Sequence, residues 1–467
     1  MPLSCLEFRE YCTLTKSGIV GKSEFVETTL IQQFREAVYQ TIHNRSDAFY
    51  DILDALTTAG HINSPVSLSE EALYRRKFSS IYDTLQHTWF EPKSMRQLLY
   101  RYMPAGSGKI AGYRVYAIDT TVEERPEART LEDRGCLRRD KDHSVQYGHK
   151  YSWVVRLVQW GTSWVAPLSF QRVPTTQTPS QVAIEQLTEL ETQDPEPKVV
   201  VSDSHYGNQF FLGGVRSIQN LCELVRLRHN LTLRQAPLPK PPEVKRGPQR
   251  KHGPKFKLAQ PPREAERKEE FELLPHQPVR AEAWLNLHMQ PLPQVVGMAV
   301  RVVFLRSDGT PRHKYPLWMF WTGPTTVSLA DLTRMYLWRF AIEHAFRFLK
   351  QHLGLTANFS TLTPSIQHWF WLCQLAYWQL LLMQPEVENA CPAWYPHRGE
   401  RPDHPFTPWQ VQRAALTFLL RLGTSARSPK PSGKGLGRLK GFHPAAKTRY
   451  KTVVKGKKPN KTENLRI

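Results

Sequence analysis

A single carboxylate among cations marks residues 335–353, MYLWRFAIEHAFRFLKQHL. If this stretch is one helix, successive side chains are rotated by about 100°, and its polar residues share one face. Those residues are Tyr336, Arg339, Glu343, Arg347 and Lys350. A cationic face of this kind suits contacts to phosphate groups. The alternative interpretation is a solvated surface helix with (i, i+4) ion pairs from Arg339 and Arg347 to Glu343.

The opposite side of the same predicted helix is apolar. It carries Trp338, Ala341, Ile342, Ala345, Phe348 and Leu349. A stripe of this width is typical of a helix that packs on a sheet.

Two aspartates upstream are candidates to join Glu343. Asp119 follows the strand-like run YRVYAI, and Asp203 follows the apolar run KVVVS. Taken singly, an Asp after a strand is more often a turn or a helix N-cap. Three carboxylates brought together would instead form an oxygen-rich site that suits Mg²⁺ or Mn²⁺ and metal-assisted phosphodiester chemistry.

The spacing Tyr336-x2-Arg339-x3-Glu343-x6-Lys350 resembles the Tyr-Arg-Glu-Lys signature of DDE transposases from bacterial insertion sequences. The resemblance implies that Asp119, Asp203 and Glu343 are the catalytic residues and hold two Mg²⁺ or Mn²⁺ ions, with Asp119 bridging them. It also implies that cations around this site hold DNA. The predicted DNA-binding residues are Tyr336, Arg339, Lys350, Arg347, Lys150 and Lys251.

Three histidines lie near the proposed site in sequence: His149, His205 and His344. We interpret each as a neighbour of the metal ligands or a phosphate contact, because oxygen ligands alone already suit Mg²⁺.

Periodicity predicts an α/β fold with three regions. Residues 1–108 read as helices, a possible DNA-end-binding domain, although a helical packing domain without DNA contact is the alternative. Residues 109–385 follow the order of a ribonuclease-H-like core, in which a β-rich insertion at about 231–325 precedes the last catalytic helix. Residues 386–467 carry a helix at about 410–422 and a basic tail.

Two features of the insertion could contact nucleic acid. Its first part contains the basic cluster KRGPQRKHGPKFK at 245–257, which is expected to lack regular structure. Its last strand carries Trp318, Phe320 and Trp321, which could stack on unpaired bases, but aromatic strand residues are more often core.

Composition favours a polyanionic partner. The 467 residues carry a formal net charge of +21, and residues 424–467 hold thirteen Lys or Arg against one acid. The Gly, Pro and Ser content of this tail predicts disorder when free and non-specific phosphate contacts when DNA is bound. Six cysteines without regular spacing indicate neither a disulfide framework nor a zinc site.

The resulting expectation is a bacterial DNA transposase that cleaves its own element's ends and joins the 3′ ends to target DNA. The expected partners are element ends, target DNA and a second copy in a homodimer, and a membrane is not expected. The expected location is the cytoplasm, in association with the nucleoid. Two alternatives stay open: a catalytically inactive DNA-binding descendant and a structure-selective nuclease with the same core.

Overall fold

The computed structural model describes residues 29–104, 106–138, 144–237, 251–388, 394, 405–431, 437 and 440–454. Residues 245–250 of the predicted basic cluster lie outside this part of the chain. So do residues 432–436, 438–439 and 455–467 of the predicted basic tail.

Short helices form the first part of the described chain, as the sequence predicts. They are α1 (Leu30–Thr41), α2 (Ser46–Thr58), a 3-10 helix (Pro65–Glu70), α3 (Phe78–His87) and α4 (Pro92–Arg101). Helix α1 begins with a capping box, in which Thr29 and Gln32 each accept a hydrogen bond from the other's backbone N–H. Helix α2 is buried along most of its length, so these helices share a core with the rest of the chain.

The central part alternates strands and helices. It contains β1 (Lys109–Ile110), β2 (Tyr113–Glu124), β3 (Gly135–Arg138), β4 (Val145–Leu157), β5 (Val165–Val173), α5 (Pro179–Gln193), β6 (Lys198–Ser202), α6 (Gln209–Val215) and β7 (Leu221–Leu227). The hairpin β4–β5 and the helix α5, capped by Thr178, match the sequence prediction.

The insertion is rich in strands, also as predicted. It contains β8 (Thr232–Gln235), β9 (Lys255–Lys257), β10 (Arg267–Glu272), β11 (Pro278–Met289), β12 (Leu292–Phe304) and β13 (Leu317–Trp321). Helices α7 (Leu329–Trp338), α8 (Phe340–Gln351), α9 (Thr363–Met383) and α10 (Pro408–Leu422) follow.

All thirteen strands of the described chain belong to one mixed sheet. Its order is β3-β4-β2-β6-β7-β13-β12-β11-β8-β9, with β1 on β2, β5 on β4 and β10 on β11. Strand β2 is parallel to β6, and β6 is parallel to β7, whereas the remaining pairs are antiparallel. Because β13 pairs with β7, the insertion continues the central sheet.

The predicted single helix at 335–353 is broken at Arg339. The break consists of two tight hydrogen bonds, from Arg339 N–H to the Tyr336 carbonyl and from Ile342 N–H to the Arg339 carbonyl. The apolar stripe is nonetheless buried as predicted, with Ala345 only 2% exposed.

Aromatic residues of the last insertion strand belong to the core. Trp318, Phe320 and Trp321 are each at most 1% exposed, so stacking of these rings on bases is ruled out in this conformation. Helix α9 is buried from Trp369 to Met383, as the sequence predicts for a core helix. Within the described chain, no helix combines the length and apolarity needed to cross a membrane.

Candidate active site

The two aspartates lie side by side on neighbouring parallel strands. Ile118 of β2 pairs with Ser202 of β6, so the next residues, Asp119 and Asp203, leave this ladder at the same level. The prediction that each ends a strand is correct only for Asp203. Strand β2 continues to Glu124, because its other edge stays paired with β4 from Asp119↔Trp153 to Glu124↔Gly148.

Glu343 approaches from helix α8, and Arg339 joins it to Asp119. The Arg339 guanidinium donates to Glu343 Oε1 at 2.7 Å and contacts Asp119 Oδ2 at 3.4 Å. The Arg339 side chain is 5% exposed, whereas that of Glu343 is 46% exposed. The (i, i+4) ion pair of the alternative interpretation is therefore present, but it is not fully solvated, because the Arg339 side chain is buried.

All three carboxylates line one open cavity of about 690 Å³. Its wall also contains four cations and a fourth carboxylate: Lys150, Arg226, Arg339, Lys350 and Glu124. A cavity of mixed charge suits an anionic substrate, because cations can hold phosphate groups while carboxylates lie close to the reacting bond.

The pKa values of the two aspartates are shifted in opposite directions. Burial, together with the negative charge of Asp203, raises the pKa of Asp119 to about 6, although Arg339 acts in the opposite direction. Burial alone would also raise the pKa of Asp203. Instead, hydrogen bonds from the His205 side chain (2.7 Å) and backbone N–H (2.9 Å) lower it. The protein therefore stabilises the ionised form of Asp203 better than that of Asp119.

Lys350 shares this environment. Burial lowers the pKa of its ammonium group, and the charges of Glu124 and Asp119 partly offset that effect.

Glu124 and Arg226 were not identified from the sequence as site residues. Val225 pairs with Ser202, so Arg226 lies level with Asp203 through a long-range pairing that no local pattern marks. Glu124 lies five residues after Asp119 on β2, and simple strand alternation would place the two on opposite faces.

The predicted DNA-binding residues are dispersed. Lys150 and Lys350 line the cavity, and Arg347 is exposed on α8 outside its lining. Tyr336 is 2% exposed with its hydroxyl buried, so a phosphate cannot reach it in this conformation. Lys251 is exposed in the insertion and does not line the cavity.

The three histidines have different surroundings. His205 bonds to Asp203 as described, and His344 is exposed on α8. His149 is buried, and its Nε2 lies 2.8 Å from the Glu132 carbonyl oxygen.

In the described part of the chain, no group of three or more His, Cys, Asp or Glu side chains is close enough together to hold a metal ion. The Arg339 guanidinium bonds to both Glu343 and Asp119 and so supplies a positive charge to this pair of carboxylates. The donors themselves fit a hard divalent cation, because all are carboxylate oxygens and the negative charge of Asp203 acts on the buried Asp119. Asp119 and Asp203 would hold such an ion, and Glu343 could join after its contact with Arg339 opens.

Comparison with known proteins gives the family. No curated protein sequence matches the chain. Among solved structures, the fold is similar to the piggyBac transposase in a synaptic complex with hairpin DNA, with a TM-score of 0.40 and 9% identity over 83% of this chain and 76% of that one. The sequence profile described as DDE superfamily endonuclease matches residues 37–291, which include Asp119 and Asp203 and end before Glu343. Because this match covers more than half of the chain, the protein belongs to the DDE superfamily of endonucleases.

Proposed function

We propose that the protein is a DNA transposase that cleaves phosphodiester bonds at the ends of its own insertion sequence and joins the 3′ ends to target DNA. The observation that carries this proposal is the meeting of Asp119, Asp203 and Glu343 in one cation-lined cavity. Family membership supports cleavage of nucleic acid. The Tyr-Arg-Glu-Lys spacing supports the transposase branch, and the order of β2, β4, β5, α5, β6, α6 and β7 is that expected of a ribonuclease-H-like core.

The side chains divide the chemical work between them. Lys150, Lys350 and Arg226 hold phosphate oxygens at the cavity wall, which offsets repulsion between DNA and the carboxylates. Asp119 and Asp203 would hold divalent cations, and Glu343 would complete the ligand set. When bound, two Mg²⁺ or Mn²⁺ ions would activate a water or 3′-hydroxyl and stabilise the leaving oxygen. A homodimer would bring two element ends together.

Cleavage by single-residue variants tests the proposal. The substrates are end-labelled duplexes covering the DNA on both sides of the coding sequence, with a supercoiled plasmid as target and Mg²⁺ present. We expect the wild-type chain to cut one duplex and join its 3′ end to the plasmid. Asp119→Asn, Asp203→Asn and Glu343→Gln should each abolish cutting and keep DNA affinity within about tenfold. Retained cutting by any of these variants would remove that residue from the catalytic set.

One observation favours a second candidate, an inactive DNA-binding descendant. The Arg339 guanidinium lies between Asp119 and Glu343, where a bound cation would otherwise balance their charge. This candidate predicts binding of the duplex without cutting in Mg²⁺ or Mn²⁺. A nuclease with the same core would cut but join no 3′ end to the plasmid, so the same assay separates all three functions.

A further inference from the structure

Part of the basic C-terminal tail is hydrogen-bonded to the loop that precedes β3. The Tyr450 N–H donates to the Arg129 carbonyl at 2.8 Å, and the Val453 N–H donates to the Arg134 carbonyl at 2.8 Å. Val453 also forms a parallel bridge with Gly135, the first residue of β3. Because β3 is the edge strand of the described sheet, the tail lies against that edge through this single bridge and the two backbone hydrogen bonds.

This edge borders the candidate active site. A second cavity, of about 430 Å³, lies between β3, the end of β5, the start of α5 and the tail residues Val453 and Val454. It shares Leu137, Lys150 and Pro179 with the catalytic cavity. The tail therefore forms a wall of the space next to the carboxylates.

The attached segment has one sign of charge. Residues 440–454 contain four Lys or Arg and no Asp or Glu. Lys447, Arg449 and Lys451 are exposed, whereas the backbone N–H groups of Tyr450 and Val453 are bonded to the loop before β3. The main chain is thus fixed while its cations point to solvent, an arrangement that suits contacts to a polyanion.

We propose that residues 450–454 are a strap that fixes the basic tail beside the catalytic cavity, so that Lys447, Arg449 and Lys451 contact DNA phosphates close to the cleaved bond. This inference rests on the proposed function, since it takes duplex DNA as the ligand. A fixed segment loses less conformational freedom on binding than a free one and holds its cations at high local concentration. The tail is then part of the DNA path instead of a free polycation.

Proline substitution can detach the strap without changing its charge. Tyr450→Pro combined with Val453→Pro removes both N–H donors. Thr448→Pro is the matched control, because the Thr448 N–H makes no hydrogen bond within the described residues. In free protein, the Tyr450 and Val453 amides of the wild-type chain should exchange slowly with deuterium, and Thr448→Pro should keep this protection. The double variant has no amide hydrogen at these positions, so its detachment is followed by trypsin, which should cut after Lys451 faster than in the control. Fast exchange in the wild-type chain would overturn the strap itself.

Photo-crosslinking then locates the tail on DNA. A photoreactive amino acid replaces Arg449, and the probe is the labelled duplex cleaved in the assay above. We expect crosslinks confined to a few nucleotides beside the cleaved bond. In the double proline variant they should scatter along the duplex and cleavage should fall about tenfold at ~0.1 M salt, while Thr448→Pro changes neither.

Three results of the crosslinking and cleavage assays would overturn the inference. Scattered crosslinks in the otherwise wild-type chain would mean that the tail has no fixed place on DNA. Unchanged crosslinks and cleavage in the double variant would mean that the strap has no role. Faster cleavage by the double variant would mean that the segment blocks the cavity. Failure of the wild-type chain to bind any duplex would refute the proposed function together with the strap, and a binding defect restricted to the proline variants would not.

Discussion

Arg339 balances the negative charge of Asp119 and Glu343. Because its side chain is buried, its replacement should lower the stability of the fold. Removing it leaves Asp119 and Glu343 without their shared cation. We expect Arg339→Ala to lower the free energy of unfolding by about 1–3 kcal/mol, less than for a fully buried pair because Glu343 is half exposed. Thermal unfolding without divalent ions should show the loss, as about 2–4 °C per kcal/mol.

The same variant reports on metal binding without any activity assay. Mg²⁺ can replace the missing positive charge at Asp119 and Asp203, so it should raise the melting temperature of Arg339→Ala more than that of the wild-type chain. Arg347→Ala, on the exposed face of the same helix, is the control and should match the wild type in both conditions. Equal effects of Mg²⁺ on the Arg339 and Arg347 variants would argue against a cation site at these carboxylates.

Glu223 of β7 is a buried carboxyl group outside the site. It is 2% exposed, and burial raises the pKa of its side chain well above the ordinary value. A folded-state pKa above the unfolded one means that stability is fully present below the unfolded pKa and is lost as the pH rises towards the folded pKa. Glu223→Gln removes this loss. We therefore expect the melting temperature of the variant to exceed that of the wild type by more at pH 7.5 than at pH 5.

The exposed Glu264, whose side chain is 92% exposed, provides the comparison. Glu264→Gln should change the melting temperature little, and by the same amount at both pH values. A gain for Glu223→Gln that is equal at pH 5 and pH 7.5 would show that the Glu223 carboxyl group is not the source of the pH dependence.

The three carboxylates were chosen from two strand-like runs and from the resemblance of the spacing around Glu343 to a transposase signature, because residue types alone favoured turns or helix caps for the aspartates. The sequence did not show which side chains near these carboxylates are buried. Tyr336 and Arg339 were placed on a solvated face because a continuous helix was assumed, and the tight turn at Arg339 depends on packing against the sheet. Arg226 was overlooked because the parallel register between β6 and β7 is a long-range pairing that local patterns do not encode.

At the scale of elements, the insertion supports the helices that carry Arg339 and Glu343. Glu269 of β10 accepts hydrogen bonds from the Leu329 N–H (2.8 Å) and the Ala330 N–H (3.3 Å), which begin α7. Arg267 of the same strand donates to the Val327 carbonyl at 2.9 Å. The predicted insertion is therefore a structural support of α7, the helix that leads to Arg339 and Glu343, which follows from these contacts and not from its composition.

Replacing Glu269, which caps the first turn of α7, should lower both stability and cleavage. Glu269→Ala leaves two helix N–H groups without a carboxylate, which costs about 1 kcal/mol. A shifted α7 would also move Arg339 and Glu343, so cleavage should fall more than DNA binding does. Glu270→Ala is the control on the same strand, because the Glu270 side chain is 69% exposed and pairs with Arg280 at the surface. Equal cleavage by the two variants would mean that the cap does not position the catalytic helices.

At the scale of the whole molecule, the N-terminal helices and the chain after α10 are fixed to each other. Arg75 donates to the Ala426 carbonyl at 3.0 Å and Arg76 to the Arg427 carbonyl at 3.0 Å, while both pair with buried Asp51. The Arg427 N–H donates to Asp47. Residues 426 and 427 are therefore fixed by hydrogen bonds, although the predicted disordered tail includes them. The sequence did not show that Arg75 and Arg76 would find backbone partners there.

Two truncations separate the stabilising part of the C-terminal region from its DNA-binding part. A chain that ends at Gly423 loses the contacts to Arg75, Arg76 and Asp47, whereas a chain that ends at Pro431 keeps them. We expect the first to melt several degrees below the second. The longer truncated chain still loses residues 432–467, with eleven Lys or Arg and one acid, so both should show weaker DNA binding and a smaller slope of log affinity against log salt concentration. Equal melting temperatures would mean that residues 424–431 do not stabilise the helical region. An unchanged salt slope would place the DNA contacts entirely on the cavity and the insertion, and the tail cations would then need a different partner.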